Sequence, residues 1–138
     1  MGFTIDEMTI GQSASFAKTI TEADVYMFAG ISGDMNPVHI NEEYAKDTMF
    51  KKRIVHGILG VSLISTVFGM YLPGPGSIYM NQNVTFKAPV YLGDTIKAIC
   101  TVKEKIEDKN RVVMESVVLN QSDVVVIAGE AMLMPPKK

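Results

Sequence analysis

Gly57-Ile58-Leu59-Gly60-Val61-Ser62-Leu63-Ile64-Ser65-Thr66-Val67-Phe68-Gly69-Met70-Tyr71 is apolar all the way round a helical projection, with small residues scattered through it. It lies inside the longest uncharged stretch of the chain, Ile54 to Phe86, and Pro73 and Pro75 end it. Its 15 residues fall short of the roughly 20 that cross a bilayer. The segment is therefore predicted to be a buried helix, with no membrane span.

The pattern changes after Pro73-Gly74-Pro75-Gly76. Ile78 to Phe86 reads as a strand, and Ala88 to Asp94 as a connector. Thr95 to Lys105 puts Ile96, Ala98, Cys100 and Val102 on one face, with Lys97, Thr101 and Lys103 opposite. Glu107 to Asn110 is a turn, Arg111 to Asn120 a β-branched strand, Gln121 to Asp123 a second turn, and Val124 to Leu133 the last strand. Before the helix, Gln12 to Ile20 alternates loosely. Thr21-Glu22-Ala23-Asp24 opens a short helix to Ala29, ended by Gly30 and Gly33. Asn41 caps a second helix reaching about Met49. One apolar helix and one sheet face must bury each other. The expected class is α+β, an antiparallel sheet wrapped around a central helix, in a single domain over residues 1–138.

Composition removes several function classes. A net charge of −2 with no basic block is not that of a nucleic-acid-binding protein. One cysteine, Cys100, and two histidines do not form a zinc cluster, so no metal is expected. Cys100 has no disulfide partner and reads as a small core residue. The first apolar stretch is broken by Asp6 and Glu7, so no secretory signal is read and the cytoplasm is the expected compartment.

Both histidines sit in tight motifs. Gly33-Asp34-Met35-Asn36-Pro37-Val38-His39 places an acid and an imidazole across a proline-stiffened segment. A regular helix would put residues 34 and 39 on different faces, whereas a bent segment can aim both at one point. Carboxylates and imidazoles are the usual proton carriers near neutral pH. Arg53-Ile54-Val55-His56-Gly57 leads into the apolar helix. Gly57 is expected as the first or second helical residue, where its amide has no intrahelical partner and the helix dipole is positive. That suits stabilisation of a developing oxyanion.

The two motifs together resemble the MaoC-like (R)-specific enoyl-CoA hydratases. Ser62, Pro73 to Ser77, Phe86-Lys87-Ala88-Pro89-Val90 with Gly93-Asp94, and Gly129-Glu130-Ala131 extend the likeness over nearly the whole chain. The resemblance implies a hot-dog fold that pairs into homodimers. It also implies a hydro-lyase of fatty acid metabolism, adding water reversibly and syn to a trans-2-enoyl-CoA to give an (R)-3-hydroxyacyl-CoA. In that family the Asp and His of the first motif hold the water, here Asp34 and His39. Gly57 is expected to donate its amide to the thioester carbonyl, and Ser62 to line the site. As a mechanism, ionised Asp34 can take a proton from water while His39 delivers one to Cα on the same face, and the sequence leaves open which of the two acts on the water first. No cofactor is required.

Other readings stand beside these. Lys52 and Arg53, with Lys87, are candidates for CoA phosphate binding, against the simpler reading of a solvated basic loop. An acyl carrier protein is an equally anionic handle. His56 is expected to make structural hydrogen bonds at the helix entry. Glu130 is read as a buried hydrogen-bonding acid, and Met35 and Met80 as candidate pocket walls. A thioesterase and a non-catalytic acyl-thioester-binding module are the competing functions on such a fold.

Overall fold

The apolar segment folds as a helix over Gly57–Met70, and every other element is arranged around it in a computed structural model that describes residues 1–138. Labels follow chain order. Strand β1 is Ser13–Thr19, α1 Glu22–Ser32, α2 Pro37–Ile40, α3 Glu42–Ala45, α4 Gly57–Met70, β2 Ile78–Phe86, β3 Thr95–Ile106, β4 Arg111–Leu119 and β5 Val125–Met134. Single 3₁₀ turns occupy Ile5–Glu7 and Glu107–Lys109.

The five strands form one antiparallel sheet in the order β1-β3-β4-β5-β2. Strands β3, β4 and β5 run as the expected meander. Strand β2 does not join it in sequence order: it pairs with β5 and forms one edge, while β1 pairs with β3 and forms the other. The inward residues of β3 are Ile96, Ala98, Cys100 and Val102, as the alternation predicts. They meet Gly60, Leu63, Ile64, Val67 and Phe68 of α4 in a core of 22 buried residues that extends into β4 and β5. Cys100 is buried in that core as a free thiol.

Three expectations are corrected. Helix α4 is buried on one face only. Residues 60, 63, 64, 67 and 68 form a stripe at helical spacing, while Ile58 and Met70 on the other face are 59% and 63% exposed. One five-stranded sheet can cover only one side of a helix.

Helix α1 runs through Gly30 to Ser32. It stops at Gly33, whose φ of +80° is open to glycine and costly for other residues, and whose N–H closes on the Ala29 carbonyl. The helix expected from Asn41 to about Met49 is only the turn Glu42–Ala45. A second turn, α2, precedes it, with Asn36 as N-cap and Pro37 at the first position. The Asn-Pro pair, read from sequence as a stiffener, is a helix start.

Candidate active site

The first motif is folded by its own side chains. Ser32 Oγ donates to the Phe28 carbonyl and accepts the Asp34 amide. Asp34 Oδ1 accepts the Asn36 amide, and Asn36 Oδ1 accepts the Val38 amide. These links turn the chain sharply between α1 and α2. Asp34 therefore also makes the Asx turn that its spacing allows, and its carboxylate keeps a second oxygen for other work.

His39 rides on α2 and is 8% exposed. Its Nδ1–H donates to the Ile54 carbonyl at 2.7 Å. A carbonyl only accepts, so the neutral ring carries its proton on Nδ1 and presents a lone pair at Nε2. The same strand of chain returns the contact, since the Ile54 amide donates to the Val38 carbonyl. Burial holds His39 below the ordinary imidazole range. The neighbouring His56 adds to that, while the Ile54 carbonyl and the Asp34 carboxylate pull the other way without cancelling it.

His56 is the N-cap residue of α4, and its side chain makes no cap bond. Its Nε2–H instead donates to the Asp34 carbonyl at 3.0 Å. Its ring stacks on His39 with centroids 3.9 Å apart and planes 27° apart, and Phe28 packs on it at 4.8 Å. The expected structural role at the helix entry is thus observed. A carboxylate oxygen of Asp34 and one ring nitrogen from each histidine lie within 4.8 Å of one another. The acid and the imidazole do meet. Such a trio also raises the question of a metal. One nitrogen of each ring already donates to a backbone carbonyl, which leaves one nitrogen per ring and one carboxylate oxygen in the trio.

Gly57 is the first residue of α4, and its amide finds no acceptor within the chain. A Cβ here would lie 2.6 Å from the half-exposed Phe86 ring, which would have to shift to admit it. His39, His56 and Gly57 line a cavity of about 520 Å³ whose other walls include Ile54, Ile58, Phe86, Lys87, Val90 and Ile127. It is mostly apolar, and Lys87 is its charged wall outside the histidines.

The remaining candidates divide. Ser62 does not line this cavity. Its hydroxyl donates back to the Leu59 carbonyl, and it lies in a separate groove with Phe16, Met27 and Leu63. Arg53 is corrected as a phosphate ligand: its guanidinium is committed to Glu22, Glu42 and the Tyr26 hydroxyl and is packed over the Tyr26 ring. Nothing near Arg53 in sequence announces that clamp, because its partners lie 11 to 31 residues away. Lys52 lies over the Tyr91 ring at 4.4 Å. Glu130 is paired with Lys103 on the sheet's outer side and is not a buried acid. Met35 and Met80 are exposed and line none of the larger cavities.

Comparisons with known proteins agree on one family. A model of the MaoC-like domain matches residues 6–124. An (R)-specific enoyl-CoA hydratase of Rhodospirillum rubrum is 50% identical over 133 residues, covering 96% of this chain and 92% of that protein. Among solved structures, the unliganded R-hydratase PhaJ1 of Pseudomonas aeruginosa superposes with a TM-score of 0.94 at 44% identity, over 99% of this chain and 88% of that one. The (R)-hydratase of A. caviae, involved in PHA biosynthesis, superposes with a TM-score of 0.91 at 38% identity, over 94% and 98%.

Proposed function

This chain belongs to the MaoC-like domain family, and from that premise we propose that it is an (R)-specific enoyl-CoA hydratase, a hydro-lyase that also runs as a 3-hydroxyacyl-CoA dehydratase. The observation that carries the reading is the meeting of Asp34 with His39, which lines one apolar cavity together with Gly57 and its unpaired amide; Asp34 reaches His39 from outside that lining.

The chemistry follows from those groups. The thioester oxygen accepts the Gly57 N–H at the positive end of α4. Water is held between the Asp34 carboxylate and His39 Nε2. His39 enters neutral, so the proton it gives must be one it has just taken. Its Nε2 removes a proton from water as the oxygen bonds to Cβ. The C=C electron pair moves toward the thioester, and the resulting enolate oxygen is stabilised by the Gly57 amide, worth about 3 kcal/mol in comparable sites. The imidazolium then returns its proton to Cα from the same side, giving syn addition. Asp34 orients the water and stabilises the imidazolium. This assigns the first proton transfer to His39, an order that the sequence leaves open. Each transfer contributes about 10²–10⁴ in rate. The reaction moves no electrons to a redox group, so the reading calls for no cofactor.

Lys87 and Lys52 are the cations we assign to the anionic handle of the substrate, CoA or acyl carrier protein. The substrate class supports a place in fatty acyl metabolism, and the lone unpaired Cys100 supports a reducing compartment such as the cytoplasm. No helix is long and apolar enough to cross a membrane. We further propose a homodimer. Strand β2 is an edge whose Ile78, Met80 and Phe86 are exposed, and the open face of α4 adds Ile58 and Met70. Pairing of these surfaces would cover both.

The test is direct. Purified protein mixed with crotonyl-CoA should consume the enoyl absorbance and yield (R)-3-hydroxybutyryl-CoA by chiral analysis. Release of free thiol without hydration would move the protein to the thioesterases. Tight binding of the ester without any turnover would make it a binding module.

A further inference from the structure

His56 touches both members of the acid–imidazole pair from behind, and the mechanism above does not use it. One nitrogen donates to the main-chain carbonyl of Asp34 at 3.0 Å, and the ring face covers the His39 ring at 3.9 Å. The other nitrogen, Nδ1, is buried with no hydrogen-bond partner. Burying a polar atom unpaired costs about 1–3 kcal/mol, and a phenyl or aliphatic side chain would fill this place without that cost. We propose that His56 is a positioning residue for the hydration reaction, holding the Asp34 turn and the His39 ring in mutual register through one hydrogen bond and one ring stack. This rests on the hydratase reading of the same site.

Two consequences are built into the geometry. The hydrogen bond needs the proton of His56 on Nε2, and the bond from His39 to Ile54 needs its proton on Nδ1, so the stacked rings hold opposite tautomers. The groups that set the charge of His39 are also countable. Asp34 faces it from the turn after α1 and His56 from the start of α4. The Ile54 carbonyl meets its Nδ1, and Lys87 is the remaining charged wall of the cavity. Of these, His56 and burial favour neutral His39.

The test uses the whole protein, first unmodified. Imidazole ¹⁵N chemical shifts near neutral pH should report His56 as the Nε2–H tautomer and His39 as the Nδ1–H tautomer; an Nδ1–H His56 overturns the proposal. This readout needs no substrate, so it is independent of whether crotonyl-CoA is turned over. Then His56→Phe keeps a ring and loses the donor, while His56→Gln keeps a donor and loses the ring. Each, if active wild-type protein is the reference, should lower kcat by about tenfold or more with KM within about threefold. The acidic limb of kcat/KM should move to higher pH in both. A purely structural His56 would lower the melting temperature and leave that limb in place, and this outcome, or wild-type kcat in either folded variant, refutes the proposal. If wild-type protein does not hydrate crotonyl-CoA at all, the hydratase reading itself is what fails.

Discussion

At the scale of the residue, His39 and Gly57 carry the sharpest consequences. His39 is held below its ordinary value of 6.5, chiefly by burial. The neutral base therefore persists to lower pH, and the acidic limb of kcat/KM should lie below the usual imidazole range. The same shift has a stability consequence. The unfolded chain takes up this proton near the ordinary value and the native chain only lower. Stability should then fall as pH drops from about 6.5 through the native value, and this contribution should be constant above. Melting curves of wild type and His39→Gln across that window check it, and the slope should flatten in the variant. Gly57→Ala would press a methyl group into the Phe86 ring. Overpacking of this kind costs about 1–3 kcal/mol. Phe86 is half exposed and can swing aside, so the low end is expected in a thermal melt. The hydration rate should fall as well, because the ring and the amide border one cavity.

At the scale of the element, α1, α3 and the segment entering α4 are fastened by one guanidinium. Arg53 joins Glu22 and Tyr26 of α1 to Glu42 of α3 and lies next to Ile54, whose carbonyl orients His39. Isolated exposed ion pairs contribute little, but a fork that engages three groups at once also fixes geometry. Arg53→Met should lower the melting temperature and the hydration rate while leaving KM for the CoA ester unchanged. A selective rise in KM would restore the phosphate-binding role read from the sequence. In sequence, Arg53 ends the cationic run Lys51-Lys52-Arg53, a local pattern that says nothing of partners 11 to 31 residues away. The strands of the meander were legible because Ile96, Ala98, Cys100 and Val102 alternate with polar residues. The acid–imidazole pair was legible because Asn-Pro leaves few ways to turn between Asp34 and His39. The turn α2 was not, since Pro37 at a first helical position and Pro37 in a bent loop look alike until Asn36 is seen to cap Val38. The clamp was invisible because an arginine's partners depend on how α1 and α3 pack.

At the scale of the whole molecule, one side of α4 is uncovered and both edge strands of the sheet, β1 and β2, lack a partner on their outer side. The apolar count of α4 suggested a helix enclosed on all sides, yet a five-stranded sheet encloses half. The excess apolar character is explained if a second copy meets that face. Sedimentation equilibrium should give twice the mass of one chain, and Met80→Glu on the edge strand should shift the protein toward monomer. A monomer with full activity would remove the dimer from the account. The fold as a whole places the site where it is: the sheet buries the Gly60–Phe68 stripe, that burial fixes the amino end of α4, and the two motif segments are stacked against it.

The measurement that bears most directly on the site is the hydration rate of Asp34→Asn on crotonyl-CoA, with folding checked by the melt. The amide can still accept the Asn36 N–H and keep the turn, so the substitution removes the charge with little change of shape. A loss of at least about 10²-fold is expected. A folded Asp34→Asn protein that hydrates crotonyl-CoA at the wild-type rate would contradict the assignment of Asp34 and His39 as the pair that handles the water.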